Sequence, residues 1–247
     1  MHQPIWLSKD VSDFPPTSLA LSTPNGLLAV GGDLSPKRLI NAYSKGIFPW
    51  YSDGNPILWW SPDPRMVFYP DQIHCSKSLK KFINKAPCSV SIDCDFESVI
   101  QHCREIDRPA QNGTWISTKI TLAYIELHRL GIAHSIETRD ANGVLIGGFY
   151  GLALGAVFFG ESMFSLQPNA SKIAITQFGL WAKTKGFQLI DCQVENPHLR
   201  SIGGQLMPRP QFESILLEHG LIKNPEFEHL WRDYRGAKIF NNVSYIG

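Results

Sequence analysis

At 247 residues, with 43% hydrophobic and 18% charged residues, the chain is long enough for one sizeable core or for a small domain attached to a larger one. No stretch approaches the roughly 18 consecutive apolar residues of a membrane span, and MHQPIWLSKD lacks the order of a secretory signal, so a soluble cytoplasmic protein is expected. A net charge of +1 makes no global case for nucleic acid, and five cysteines without a Cys-x-x-Cys pair suggest neither a disulfide framework nor zinc.

The first sixty or so residues are rich in Pro, Gly and Trp and carry one clear helix signal. In LSPKRLINAYSKG, Ser35 is placed to cap, Pro36 stands at the first helical position and Gly46 closes the turn. IFPWYSDGNPILWWSPDP is too broken for a long helix. We expect a small N-terminal domain at 1–63, with SPDP as the joint, and a second body at 64–247.

The second body alternates helical and strand patterns. CSKSLKKFINK sets Leu79, Phe82 and Ile83 on one helix face and Lys77, Lys80, Lys81 and Lys85 on the other, with no acid among them. DFESVIQHCRE and STKITLAYIELHRLG predict further helices capped by Asp95 and Ser117. AHSIETRDANGVLIGGFYGLALGAVFFGES then predicts three antiparallel strands, with turns at Asn142-Gly143 and near Gly155. A helix over about 171–185 leads to the strand FQLIDCQV, and PRPQFESILLEHG supplies a late helix. A meander, a helix and a returning strand imply an α+β sheet with that last strand inside it.

In LIDCQVEN, strand alternation sends Asp191 and Gln193 to one face, and Ile190, Cys192 and Val194 to the other. The polar pair either lines a site or faces solvent. Cys192, on the opposite side, is read as a packed thiol rather than a nucleophile. GESMF is a poor nucleophile elbow because Phe164 stands where the strained turn needs Gly, so Ser162 is read as a local hydrogen-bonding residue. The strand, helix, strand order also suits an acyl-CoA-dependent N-acyltransferase, but SLQPNASK has no glycine with which to cradle a pyrophosphate. The lysine face is either a solvated surface or a phosphate-contacting one, with Trp50 and Trp115 offering stacking surfaces for unpaired bases.

PNGLLAVGGDLSP, GIFPWYSDGNPILWWSPDPR, GTWIS, GESMFS, NASK and LIDCQV together resemble the leucyl/phenylalanyl-tRNA–protein transferase family, in order and over nearly the whole chain. The resemblance implies an α+β fold, with a small N-terminal domain joined to an N-acetyltransferase-like (acyl-CoA N-acyltransferase-like) mixed-sheet domain. It implies an enzyme that moves Leu, Phe or Met from aminoacyl-tRNA to the N-terminal Arg or Lys of an acceptor protein, marking that protein for degradation. By the same resemblance Asp191 and Gln193 are the catalytic pair, and Trp50 and Trp115 sandwich the terminal adenosine of the tRNA. The amino-acid pocket maps to Phe149, Phe158, Glu161, Ile175, Phe178 and Ile190, and the tRNA-contacting helix to Lys77 and Lys81. Position 149 is Phe where Met is expected, and position 77 is Lys where Arg is expected, so pocket shape and phosphate geometry could differ. Glu161 is expected at the pocket rim, accepting hydrogen bonds from the aminoacyl-adenosine; the plainer alternative is a carboxylate at a helix N-terminus. No cofactor, metal or membrane is implied, and a monomer is expected. The competing functions are the acyl-CoA-dependent transferase and a non-catalytic module that captures the tRNA 3′-end.

Overall fold

The computed structural model describes residues 3–10, 13–85, 87–106, 114–220 and 225–242. In the N-terminal part β1 (Ile5–Trp6) and β2 (Leu27–Val30) precede α1 (Pro36–Tyr43), followed by β3 (Phe48–Pro49) and β4 (Leu58–Trp60). The Ser35 hydroxyl accepts the Arg38 N–H at 3.4 Å, and Gly46 turns the chain at φ 71°, as the sequence signal requires. The four strands form one small sheet in the order β1-β2-β4-β3.

The second body runs β5 (Arg65–Phe68), α2 (Lys77–Lys85), β6 (Cys88–Ile92), α3 (Phe96–Glu105), α4 (Thr118–Arg129), β7 (Ala133–Asp140), β8 (Leu145–Leu154) and β9 (Val157–Ser165). It continues with α5 (Ala170–Thr184), β10 (Leu189–Gln193), α6 (Pro197–Ser201), β11 (Gln205–Met207), α7 (Arg209–Ile215), α8 (Pro225–Tyr234) and β12 (Lys238–Asn241). The caps expected of α3 and α4 form, Asp95 Oδ1 accepting from Ser98 N–H and Ser117 Oγ from Ile120 N–H.

An eight-stranded mixed sheet, β11-β5-β10-β9-β8-β7-β6-β12, organises this body. The expected meander is β7-β8-β9, and β10 lies inside the sheet between β9 and β5. β10 pairs with β9 in parallel, reached through the α5 crossover, whereas the other pairings in this sheet are antiparallel. Strands β5, β6, β11 and β12 extend the sheet beyond the meander. β5 and β6 are short and buried throughout, so they show none of the alternation that betrays a half-solvated strand.

Alternation divides the core between the two faces of this sheet. One face packs Val67, Tyr150, Phe159 and Leu189 with α1, α3, α4 and the N-terminal sheet. The other packs Phe68, Phe149, Phe158 and Ile190 with α2, α5 and Trp231. Burying each such side chain contributes about 1.5–3 kcal/mol, so both faces are substantial sources of stability. The close approach of α5 requires Gly147, where a Cβ would stand 2.4 Å from that of Ala170.

Candidate active site

The parallel pairing of β9 and β10 reaches only as far as Asp191 opposite Phe159. Beyond that point each strand carries a bulge against its other neighbour. On β9, Gly160 pairs with Gly151 and Ser162 with Tyr150, leaving Glu161 as the extra residue. Gly151 is needed there, because a Cβ would stand 2.1 Å from the Phe159 carbonyl oxygen. On β10, Asp191 pairs with Val67 and Gln193 with Met66, leaving Cys192 extra, and Gln193 takes φ 58°. Bulges re-aim side chains and end pairing, and these two open a gap where the strands part.

A cavity of about 430 Å3 occupies that gap. Its apolar wall includes Phe68, Phe149, Met163, Ile175 and Ile190; Phe48, Pro49 and Trp50 arrive from the N-terminal part, and Trp115 from the segment before α4. Glu161, Ser162, Cys192, Gln193, Glu195 and His198 supply its polar groups.

Glu161 is half-buried, with its carboxylate turned onto three donors. Oε1 accepts from Tyr43 Oη at 2.7 Å and from Gln193 Nε2 at 3.1 Å, and Oε2 accepts from Tyr124 Oη at 3.0 Å. The two tyrosine hydroxyls also lie 2.5 Å apart. Burial pushes the Glu161 carboxyl up to about 7; the two tyrosine hydrogen bonds oppose the rise, Asp191 adds to it and Arg65 opposes it. The buried Tyr43 and Tyr124 hydroxyls are driven well above their ordinary value, by desolvation first and by the neighbouring carboxylate second.

Asp191 is fully buried and forms a bidentate pair with Arg65, at 2.8 Å to Nε and 2.7 Å to Nη2. Arg65 Nη1 donates to the Gly46 carbonyl at 2.9 Å, and the guanidinium lies 4.9 Å over Phe48 and 4.7 Å over Phe212. Asp191 Oδ1 also accepts the Gln193 N–H at 3.0 Å. Asp191 and Gln193 are thus joined across the bulge at Cys192, but only Gln193 reaches the cavity wall, because Arg65 closes over the carboxylate.

Other expected residues divide in the same way. Phe149, Glu161, Ile175 and Ile190 line the cavity, as do Trp50 and Trp115. Phe158 and Phe178 do not: both are fully buried behind the wall, Phe178 lying 5.4 Å from Phe149 and 4.7 Å from Phe158, ring to ring. They support Phe149 from behind, since strand alternation and the inner face of α5 point them into the packed layer. Cys192 does lie on the face of Ile190, yet the parted strands expose it to the cavity, so it is not sealed as expected. Burial first, and Asp191 second, drive its thiol well above the ordinary range, which disfavours a nucleophile. Glu161 belongs to β9 and is held by α1, α4 and β10, not by a helix N-terminus. Lys77, Lys80, Lys81 and Lys85 are all exposed on α2, over the buried Leu79 and Ile83, and none of them is in an ion pair among the described residues.

Sequence reading missed Tyr43, Tyr124 and Arg65. Tyr43 stands in LSPKRLINAYSKG, and Arg65 ends the motif GIFPWYSDGNPILWWSPDPR. Glycines inside a strand pattern, Gly151 and Gly160, were the available sign of the bulge that turns Glu161.

One other grouping among the described residues has metal-ligand chemistry: Asp93, His128 and His134. His134 Nδ1 lies 2.7 Å from Asp93 Oδ2 and its Nε2 3.2 Å from the Gly131 oxygen, while His128 Nδ1 lies 2.8 Å from the Ala133 oxygen. Those ring nitrogens already face hydrogen-bond acceptors, and the rings stack on Trp231 and Phe96, which suits a structural role.

A family model described as leucyl/phenylalanyl-tRNA protein transferase matches residues 67–217, and its N-terminal domain model matches residues 32–63. This chain belongs to that family. The leucyl/phenylalanyl-tRNA–protein transferase of Teredinibacter turnerae is 52% identical over 219 residues, 89% of this chain and 84% of that one. Those of Saccharophagus degradans and Pseudomonas putida KT2440 are each 53% identical, covering 87% of this chain and 88% and 94% of theirs. The two transferase models divide the site between them: Tyr43 and Trp50 fall within the N-terminal match, whereas Trp115, Tyr124, Glu161, Asp191 and Gln193 fall within the larger one.

Proposed function

We propose that this protein transfers Leu, Phe or Met from aminoacyl-tRNA to the α-amine of an acceptor protein beginning with Arg or Lys, acting as a cytoplasmic monomer and marking the acceptor for degradation. The observation that carries this reading is the cavity between the parted strands, apolar along Phe149, Ile175 and Ile190, polar at Glu161 and Gln193, and bordered by Trp50 and Trp115. An apolar side chain fits the first wall, an amine and ribose hydroxyls need the second, and an unpaired adenine suits the tryptophans. In this division residues 1–63 close the adenosine side and residues 64–247 carry the chemistry. The parallel β9–β10 pair that separates around a substrate gap supports an N-acetyltransferase-like reading of the larger sheet.

An aminoacyl ester is already activated, so neither ATP nor a covalent intermediate is needed to form the peptide bond. The requirement is a neutral amine aimed at a held carbonyl. Gln193 Nε2 is committed to Glu161, which leaves the carboxamide oxygen of this cavity-lining residue as the acceptor for the amine's hydrogen. Asp191, through the Gln193 backbone and Arg65, fixes that orientation from behind. The exposed lysines of α2 meet tRNA phosphate.

Incubation of labelled Leu-tRNA with a peptide beginning in Arg tests the reading: the peptide gains the mass of one leucine. Binding without mass gain indicates a capture module, and acylation from acetyl-CoA alone indicates a different transferase.

A further inference from the structure

The attacking amine must shed a proton as the peptide bond forms, and Gln193 cannot take it, because an amide oxygen accepts hydrogen bonds but is too weak a base near neutral pH. Asp191 is sealed beneath Arg65, and the Cys192 thiol is held far from ionisation. The oxygens around Glu161 have a different property. Three contacts close a ring: Tyr43 to Tyr124, Tyr43 to Oε1, and Tyr124 to Oε2. With Glu161 ionised, two hydroxyl protons serve these three contacts, so one pair of oxygens faces without hydrogen between them. A carboxylate offers about four lone-pair sites, and Oε1 already uses two, for Tyr43 and Gln193. A site on Oε2 remains, in a residue that borders the cavity.

We propose that Glu161 is the catalytic base of the transfer, and that Tyr43 and Tyr124 are positioning residues whose hydroxyls hold its carboxylate at the cavity wall. This inference rests on the transfer reading above. The neutral α-amine attacks the ester carbonyl carbon, a C–N bond forms and the amine's proton passes to Glu161. The bond from the carbonyl carbon to the ribose oxygen breaks, and Glu161 returns the proton to that oxygen, leaving peptide and a free ribose hydroxyl. Glu161 ends as it began.

The ionisable groups around Glu161 are Tyr43 from α1, Tyr124 from α4, Arg65 from β5, and Asp191 and Cys192 from β10; Glu195 and His198 border the same cavity. Burial brings the Glu161 carboxyl to about 7, where a base is half available at neutral pH. The active form is the carboxylate, so turnover at saturating substrates falls as pH drops through that value. Tyr43→Phe and Tyr124→Phe each remove a donor that favours the carboxylate, so each moves the acid limb upward, by about one pH unit. Glu161→Gln removes the limb and lowers turnover by roughly 10²–10⁴-fold. In the resting protein, infrared difference spectra across neutral pH show carboxylic carbonyl absorption from Glu137 and Glu161, both raised to about 7 by burial, and Glu161→Gln removes one of the two contributions. An acid limb that keeps its position in all three variants belongs to the peptide's own amine and overturns the assignment. Product formed by wild type with such an unmoved limb refutes the base alone; no product at any pH refutes the transfer reading and this one together.

Discussion

The two faces of the large sheet solve different problems with the same strands. The face under α5 is aromatic and apolar, with Phe149, Phe158, Phe178, Trp181 and Trp231 packed ring against ring. The face toward the N-terminal sheet is equally buried but threaded with polar groups, the Arg65–Asp191 pair and the Tyr43, Tyr124, Glu161 ring. Strand β10 serves both, giving Ile190 to the first and Asp191 to the second. The lesson is a division of labour across one sheet: the dry side supplies shape, and the polar side supplies orientation and a place for a proton.

The sharpest way to break that comparison is at Arg65. Arg65→Ala leaves Asp191 buried without its counter-charge, and unfolding in urea is expected to show a loss of about 3–5 kcal/mol. Joint replacement by Arg65→Met and Asp191→Leu removes both charges and recovers most of that loss, because a buried pair contributes little beyond an apolar substitute. Recovery of stability is not expected to bring back turnover, since nothing then holds the Gln193 N–H. Asp191→Asn is expected to cut turnover far more than tRNA binding; equal losses in both assign Asp191 to binding.

The dry face is tested by substitution at its cavity surface. Phe149 borders the cavity and Phe178 stands behind it, so Phe149→Ala deepens the pocket without touching the polar side. Discrimination between Phe and Leu as the transferred residue is expected to move toward Phe by about 1–3 kcal/mol in relative kcat/KM. An unchanged ratio places the amino-acid side chain elsewhere.

Legibility in the sequence followed the same division. Helices with local caps, Ser35, Asp95 and Ser117, could be read because both partners in each hydrogen bond lie within one turn. The meander could be read because its turns announce themselves at Asn142-Gly143. Alternation set Asp191 and Gln193 together but assumed a regular strand, whereas a bulge at Cys192 separates them. What could not be read depends on contacts between distant parts of the chain: Arg65 meets Asp191 across 126 positions, and Tyr43 meets Glu161 across 118. Period-two reasoning also assumes an unbroken strand, so it misjudged the exposure of Cys192 at a bulge and could not separate Phe149, at the cavity, from Phe158 behind it. The family resemblance named the same six pocket residues without that distinction.

The lysine face of α2 lies outside this comparison and sharpens it by contrast, because its expected effect is the smallest per residue and carries no geometry beyond charge. Lys77, Lys80, Lys81 and Lys85 are exposed, so each neutralised phosphate releases counterions and steepens the dependence of tRNA affinity on salt by roughly 0.7–0.9 in a log-log plot. Lys77→Ala with Lys81→Ala is expected to flatten that slope by about 1.4–1.8 while leaving turnover at saturating tRNA unchanged. Such a result separates where the tRNA body is held from where its ester reacts. A slope that does not move returns α2 to the role of a solvated surface, and the phosphate contacts must then be sought on another element.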